Sequence, residues 1–158
     1  MNKKDTVVFD LDGTLLDTLE DLKNSVNYAM TQCGYPEHTL DEVRRYVGNG
    51  ILLLMQRAIP GGKDDPNFDK AFTLFKEHYG KHCNDTTKPY AGIMELLHTL
   101  KENNIKIAIV SNKADFAVKE LNAIYFKDLI LVAIGEKESE GIRKKPAPDT
   151  VIEALKQL

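Results

Sequence analysis

Cysteine is scarce in this chain. There are two, Cys33 and Cys83, far apart and in no metal-binding spacing. That argues against a thiolate metal site and suits reduced thiols in a cytosol. Long apolar runs are also lacking. No stretch approaches the roughly 20 residues a membrane helix needs. The apolar residues near the N-terminus, Val7 to Phe9, are too few for a signal-peptide core. Nor is there an excess of charge: the formal net charge is −3, so bulk electrostatics imply no nucleic-acid or other polyanion partner. Internal repeats and low-complexity tracts are missing. With 42% hydrophobic and 28% charged residues, the composition is ordinary for a globular protein. The expectation is a cytoplasmic protein with no membrane and no nucleic-acid partner.

What the chain does have is concentrated in Val7-Val8-Phe9-Asp10-Leu11-Asp12-Gly13-Thr14-Leu15-Leu16-Asp17-Thr18. Three apolar residues in a row read as a strand buried on both faces, as in a parallel sheet. Side chains alternate along a strand, so Asp10 and Asp12 leave on the same side if the extension persists. In open α/β sheets the chemistry sits just past the carboxyl ends of the strands. Two like charges there repel, and need a cation, a shared proton or a phosphate to offset them. Gly13 permits a turn that a side chain would block.

A length of 158 residues suggests one domain or a small core with an insertion. Asp17 or Thr18 is expected to cap a first helix, with Asp21 completing a box-like arrangement. Leu19, Leu22, Val26, Ala29, Met30 and Cys33 follow helical spacing, and Gly34 stops the helix. Thr39-Leu40-Asp41-Glu42 reads as a capping box that opens a helix to Val47. Gly48-Asn49-Gly50 breaks the chain, a strongly apolar helix runs from Ile51 to Ile59, and Pro60-Gly61-Gly62 ends it. Asp65-Pro66 is expected to start a fourth helix. Its stripe of Phe68, Ala71, Phe72, Phe75 and Tyr79 reads as helix packing rather than ligand stacking. Residues 17–86 are thus all helical, and from 87 onward helix and strand alternate, a change that marks a domain boundary. A helix through Leu96 and Leu100 leads to a strand over Ile105–Val110, which ends at Ser111. A helix over Ala114–Ala123 follows, with Phe116, Ala117 and Leu121 inward. Leu129–Ile134 is a third strand and Glu136–Arg143 a polar loop. Asp149 reads as the N-cap of a last helix, structural rather than catalytic.

Asp10-Leu11-Asp12-Gly13-Thr14-Leu15 resembles the nucleophile loop of the haloacid dehalogenase-like hydrolases, mostly phosphatases. Val110-Ser111-Asn112-Lys113 looks like the family's second motif, and Lys145 before Pro146 matches the third, with Lys144 as competitor. The resemblance implies a Rossmann-like parallel sheet core over residues 1–16 and 87–158, with an inserted all-helical cap over 17–86 hinged at its two crossings. It implies Asp10 as nucleophile forming an aspartyl-phosphate, and Asp12 as acid and then base. Mg²⁺ would be bound by Asp10 and the Asp12 backbone. Ser111, Asn112 and Lys145 would steady the transition state, and Thr14 would support the loop by hydrogen bonding. Tyr46-Val47-Gly48-Asn49-Gly50 with Leu54–Ala58 looks like the cap of phosphoglycolate phosphatases. Gly48, Asn49 and Gly50 leave backbone N–H groups open for an anion, and Arg57, or Arg44 and Arg45, would meet a carboxylate. For the arginines, plain surface charge is the favoured reading. The implied partner is a small phosphate monoester, 2-phosphoglycolate before a sugar phosphate, with a phosphomutase as alternative.

The family's fourth motif, an acidic Gly-Asp loop with a further metal carboxylate, should come beyond Leu158. The expectation is therefore an incomplete core, with Val7–Phe9 left as an exposed apolar edge. Rivals from other classes are a phosphoacceptor switch and a non-catalytic binding fragment. The switch places its acceptor on a later strand, and the intact Asp10, Asp12, Ser111 and Lys145 weigh against degeneracy.

Overall fold

A computed structural model describes residues 4–158. In chain order the elements are β1 (Thr6–Phe9), β2 (Leu16–Asp17), α1 (Leu19–Gln32), α2 (Leu40–Tyr46), α3 (Ile51–Ala58), α4 (Phe68–His82), β3 (Lys88–Pro89), α5 (Ile93–Glu102), β4 (Lys106–Ala114), α6 (Asp115–Tyr125), β5 (Val132–Glu136) and α7 (Asp149–Gln157). Single 3₁₀ turns occur at Gly62–Asp64 and Glu138–Glu140. The chain divides into two compact units, Met1–Leu16 with Pro89–Leu158, and Asp17–Lys88. The class is α/β: a parallel sheet with its helices, into which an all-helical segment is inserted.

In the first unit the strand order is β1-β4-β5, all parallel. Val7 faces Ile107 and Phe9 faces Ile109, while Val110 faces Ile134. Ala108, Val110, Val132 and Ile134 form one buried cluster with Ala154 of α7, and Val8, Val151 and Leu158 pack against it. Among the described residues β1 is an edge strand. β4 runs four residues further than the sequence pattern suggests, through Ser111-Asn112-Lys113 to Ala114. Ser111 therefore lies inside a strand rather than at its end. The register with β5 shifts between Val110 and Ala114, so this stretch bulges out of the regular ladder. Apolarity alone did not reveal the extension, because its residues are polar yet buried.

Gly135 secures this corner. A Cβ there would stand 2.4 Å from the Asp115 Cα and 2.6 Å from its nitrogen. The start of α6 thus lies directly against β5, and Gly135 N–H donates to Asp115 Oδ1 at 2.9 Å. Phe116, expected inward, is 53% exposed; Ala117, Val118 and Leu121 are the buried residues of α6. Leu131, expected in the third strand, precedes it and is exposed.

In the second unit α2 opens with its capping box as expected. Glu42 N–H donates to Thr39 Oγ1 at 3.2 Å, and Thr39 N–H donates to Glu42 Oε2 at 2.7 Å. Two expected helix starts differ. α4 begins at Phe68 rather than at Pro66, because the Asp65 carboxylate accepts from Tyr35 Oη and Asn67 N–H. α1 has Thr18 at its N-cap without a side-chain cap bond, and Asp21 does not close a box. Its buried carboxylate accepts from Thr86 N–H at 3.0 Å and Thr87 N–H at 2.9 Å. Both threonine hydroxyls donate to it as well, at 2.9 and 2.7 Å. Long-range donors have taken the acceptor that a local cap would use. The aromatic stripe of α4 packs as a helix core: Phe68, Phe75 and Tyr79 are buried.

Two stability predictions follow from these contacts. Gly135→Ala forces backbone against backbone and should cost about 2–3 kcal/mol or more. Asp21→Ala strands the buried N–H and hydroxyl of Thr87 and should cost about 1–3 kcal/mol. Urea unfolding measures both, and a loss below about 0.5 kcal/mol in either would contradict its argument.

Candidate active site

The loop after β1 is wound around one carbonyl. Thr14, Leu15 and Leu16 N–H groups all donate to Leu11 O, at 3.2, 3.0 and 3.1 Å, and Gly13 N–H donates to Leu16 O at 2.9 Å. Gly13 has φ of 75°, a left-handed conformation that glycine adopts without a Cβ clash. Leu11, Leu15 and Leu16 are fully buried. Leu11 thus points into the core, and its neighbours Asp10 and Asp12 are left toward the rim. Thr14 joins this loop through its backbone N–H.

Each carboxylate meets its own lysine. Lys145 Nζ is 3.0 Å from Asp10 Oδ1, with side chains 31% and 44% exposed. Lys113 Nζ is 3.0 Å from Asp12 Oδ1, with side chains 2% and 16% exposed. Lys145 Nζ also donates to Val110 O at 2.9 Å. The competitor Lys144 reaches toward Glu138 instead, at 3.8 Å. Asn112 secures the lysine loop: its Oδ1 accepts from Lys145 N–H at 2.9 Å and its Nδ2 donates to Lys145 O at 3.1 Å. Asn112, expected to steady the transition state, holds the Lys145 backbone through its amide. Ser111 Oγ accepts from Lys113 N–H at 3.1 Å, which leaves its own O–H as a donor. Asp10, Asp12, Ser111, Asn112, Lys113 and Lys145 therefore gather at one end of the sheet. Lys113 was missed by sequence reasoning, although it adjoins the Ser111-Asn112 pair.

The expected N-cap role of Asp149 is not what is seen. Pro148 occupies that position, and the Asp149 carboxylate accepts from Arg143 N–H, Nε and Nη2. The Arg143 guanidinium holds its carboxyl below the usual range. This structural pair has no part in the rim.

Gly48, Asn49, Gly50 and Arg57 belong to the second unit. Gly48 and Gly50 have φ of 123° and 94°. Arg57 Nη1 donates to Tyr46 O at 2.8 Å and Nη2 donates to Asn49 Oδ1 at 3.0 Å, so Arg57 ties down the Gly-Asn-Gly turn. Arg44 pairs with Asp41.

The oxygen donors at the rim suit a hard divalent cation. Mg²⁺ takes few carboxylates and keeps several waters, and Asp10 with the Asp12 loop supplies carboxylate and carbonyl oxygens. Among the described residues no three His, Cys, Asp or Glu side chains converge on one point.

Residues 7–158 match the family profile described as haloacid dehalogenase-like hydrolase. The chain belongs to that family. It is 32% identical over 156 residues to the phosphoglycolate phosphatase of Nitrosospira multiformis, covering 96% of this chain and 68% of the relative. The phosphoglycolate phosphatase of Thiobacillus denitrificans is 36% identical over 113 residues, 69% of this chain and 50% of that protein. The matched stretch thus spans from half to about two thirds of these relatives. Among solved structures, a predicted phosphoglycolate phosphatase from Haemophilus somnus superposes with a TM-score of 0.88 at 27% identity, covering 99% of this chain and 72% of the other. No helix among the described residues is long and apolar enough to cross a membrane.

Removing Lys113 leaves Asp12 without its cation in a largely dry setting. Lys113→Met should lower stability by about 1–3 kcal/mol. Adding Asp12→Asn should recover most of that loss, because the uncompensated charge is gone. A double-mutant cycle in urea reads this directly, and full additivity would break the argument.

Proposed function

We propose that this chain carries the nucleophile, acid–base and phosphate-binding residues of a phosphatase that hydrolyses a small phosphate monoester, most specifically 2-phosphoglycolate. The observation that carries the reading is the Lys145 ammonium 3.0 Å from Asp10, at the same rim as the Asp12–Lys113 pair. Family membership and the names of the relatives support it.

In this mechanism an Asp10 carboxylate oxygen attacks phosphorus in line, and the bond from phosphorus to the leaving alcohol oxygen breaks. Asp12 gives the leaving oxygen a proton. As a carboxylate it then takes a proton from the water that opens the aspartyl-phosphate, releasing inorganic phosphate and restoring Asp10. The Lys145 ammonium and the Ser111 hydroxyl meet the oxygens on which charge builds. Asn112 sets where Lys145 stands. Lys113 keeps Asp12 oriented between its two proton transfers. Asp10 and the Asp12 carbonyl would hold Mg²⁺, which when bound neutralises charge on a phosphate oxygen. The helical unit serves as cap, with Gly48, Asn49 and Gly50 as its candidates for the substrate's anionic group and Arg57 as the brace of that turn.

The test is phosphate release from 2-phosphoglycolate and a panel of sugar phosphates, with and without Mg²⁺. Asp10→Asn should abolish turnover while the melting temperature holds. Lys145→Ala should lower kcat/KM about 10²–10³-fold, the scale of losing one charge-stabilising group, and Lys144→Ala less than about threefold. An Asp10→Asn variant with wild-type rates would end the proposal. A stable phosphoprotein without turnover would favour the phosphoacceptor reading instead.

A further inference from the structure

The turn that leads into α3 carries a reaction of its own. Asn49-Gly50 is the chain's one Asn-Gly step, and a glycine leaves the approach to its own nitrogen clear of any side chain. Asn49 is exposed and Gly50 is half-buried. The glycines on either side of Asn49 both have positive φ, 123° at Gly48 and 94° at Gly50.

The reacting groups of this dipeptide are placed for cyclisation. Among the described residues the Gly50 N–H donates to no acceptor, and Asn49 Nδ2 makes no hydrogen bond. The first is the nitrogen that attacks and the second is the group that leaves. Asn49 Oδ1, in contrast, is engaged: it accepts from Arg57 Nη2 at 3.0 Å. A cationic donor on that oxygen draws electrons from Cγ and steadies the negative charge that builds on the oxygen when Cγ is attacked. Arg57 is kept in place by its second bond, from Nη1 to Tyr46 O at 2.8 Å. Other asparagines are arranged differently. In Asn27, Asn67, Asn103, Asn112 and Asn122 the Nδ2 is itself tied up as a hydrogen-bond donor.

We propose that Asn49-Gly50 is a self-modifying site that slowly converts this turn from neutral to anionic. The Gly50 nitrogen bonds to Asn49 Cγ, the Cγ–Nδ2 bond breaks, and ammonia leaves with the proton that Gly50 gives up. The product is a five-membered succinimide. Water then opens it at one of its two carbonyls. One opening gives aspartate, and the other gives isoaspartate, in which the main chain runs through Cγ. Either product puts a carboxylate where a neutral amide stood, within reach of the Arg57 guanidinium. The consequence for binding rests on the reading of Gly48, Asn49 and Gly50 as the place of the substrate's anionic group. A fixed negative charge in that turn repels the anion, so the conversion ages the protein toward weaker substrate binding.

The test incubates the full chain at mildly alkaline pH and samples it over days. Cleavage after Arg45 and Arg57 releases residues 46–57, in which Asn49 is the sole asparagine. Mass spectrometry with fragmentation then reads the gain from amide to acid. Asn49 should convert before any other asparagine of the folded chain. Gly50→Ala should slow the conversion several-fold, with circular dichroism reporting whether that variant keeps its fold. Conversion of wild-type Asn49 no faster than that of the other asparagines overturns the proposal. A second arm compares Asn49→Asp with the wild type on 2-phosphoglycolate and on phenyl phosphate, which has no carboxylate. The KM for 2-phosphoglycolate should rise about fivefold, the scale of one unit-charge repulsion at short range in water, and the KM for phenyl phosphate should rise less. An unchanged KM overturns the effect on binding. A chain that hydrolyses neither ester refutes the phosphatase reading instead, and the mass measurement still decides the modification.

Discussion

Two carboxylates stand one residue apart at the end of a strand, and the first unit is arranged around containing them. Both acids lie in the loop after β1, and a separation of about 6.6 Å, that of residues i and i+2 in extended chain, sets a scale for their repulsion. At an effective dielectric of about 20, two charges at that spacing repel by roughly 2.5 kcal/mol. An ammonium at about 3 Å attracts by roughly 5.5 kcal/mol on the same scale. One lysine per aspartate therefore exceeds the repulsion, and both lysines must come from elsewhere in the chain. That requirement explains why β4 runs past its apolar portion with buried polar side chains, and why the loop before α7 is bonded to Asn112 at both its N–H and its carbonyl.

The loop itself rests on apolar anchors. Leu11 alternates inward between the two acids, and Leu15 and Leu16 are buried after the turn. Three N–H groups share the Leu11 carbonyl. Such a loop cannot drift without opening the core beneath it, so the backbone that carries Asp10 and Asp12 is held by hydrophobic burial. The polar rim is specified by what lies under it.

What the sequence disclosed depended on range. The acidic loop was legible because strand, turn and charges occur within a dozen residues. The Thr39–Glu42 cap was legible because it is local. The choice of Lys145 over Lys144 rested on the resemblance; Lys145 Nζ lies 3.0 Å from Asp10 and Lys144 Nζ 3.8 Å from Glu138. Lys113 was not legible, because its partner is 101 residues away and the contact depends on sheet register. Asp21 failed for a related reason: a capping pattern is a local offer, and Thr86 and Thr87 outbid it from 65 residues on. Phe116 was misplaced because helical spacing gives a face but not which face the core takes. The start of α4 was misjudged because Asp65 engages Tyr35, which sequence distance conceals.

The two lysines are unequal, and the inequality bears on mechanism. Lys113 is nearly sealed, on a strand, against an acid that is itself mostly covered. Lys145 is on a loop, half open, against the most exposed of the four groups. An incoming phosphate brings oxygens that compete for ammonium, and only Lys145 has the solvent access to swing between Asp10 and such an anion. Its second bond, to Val110 O, ties its ammonium to β4 as well. Lys113 has no comparable freedom and would stay with Asp12 throughout. On the proposed reading this divides the labour: one lysine follows the phosphoryl group, and the other keeps the acid–base residue in place while protons come and go.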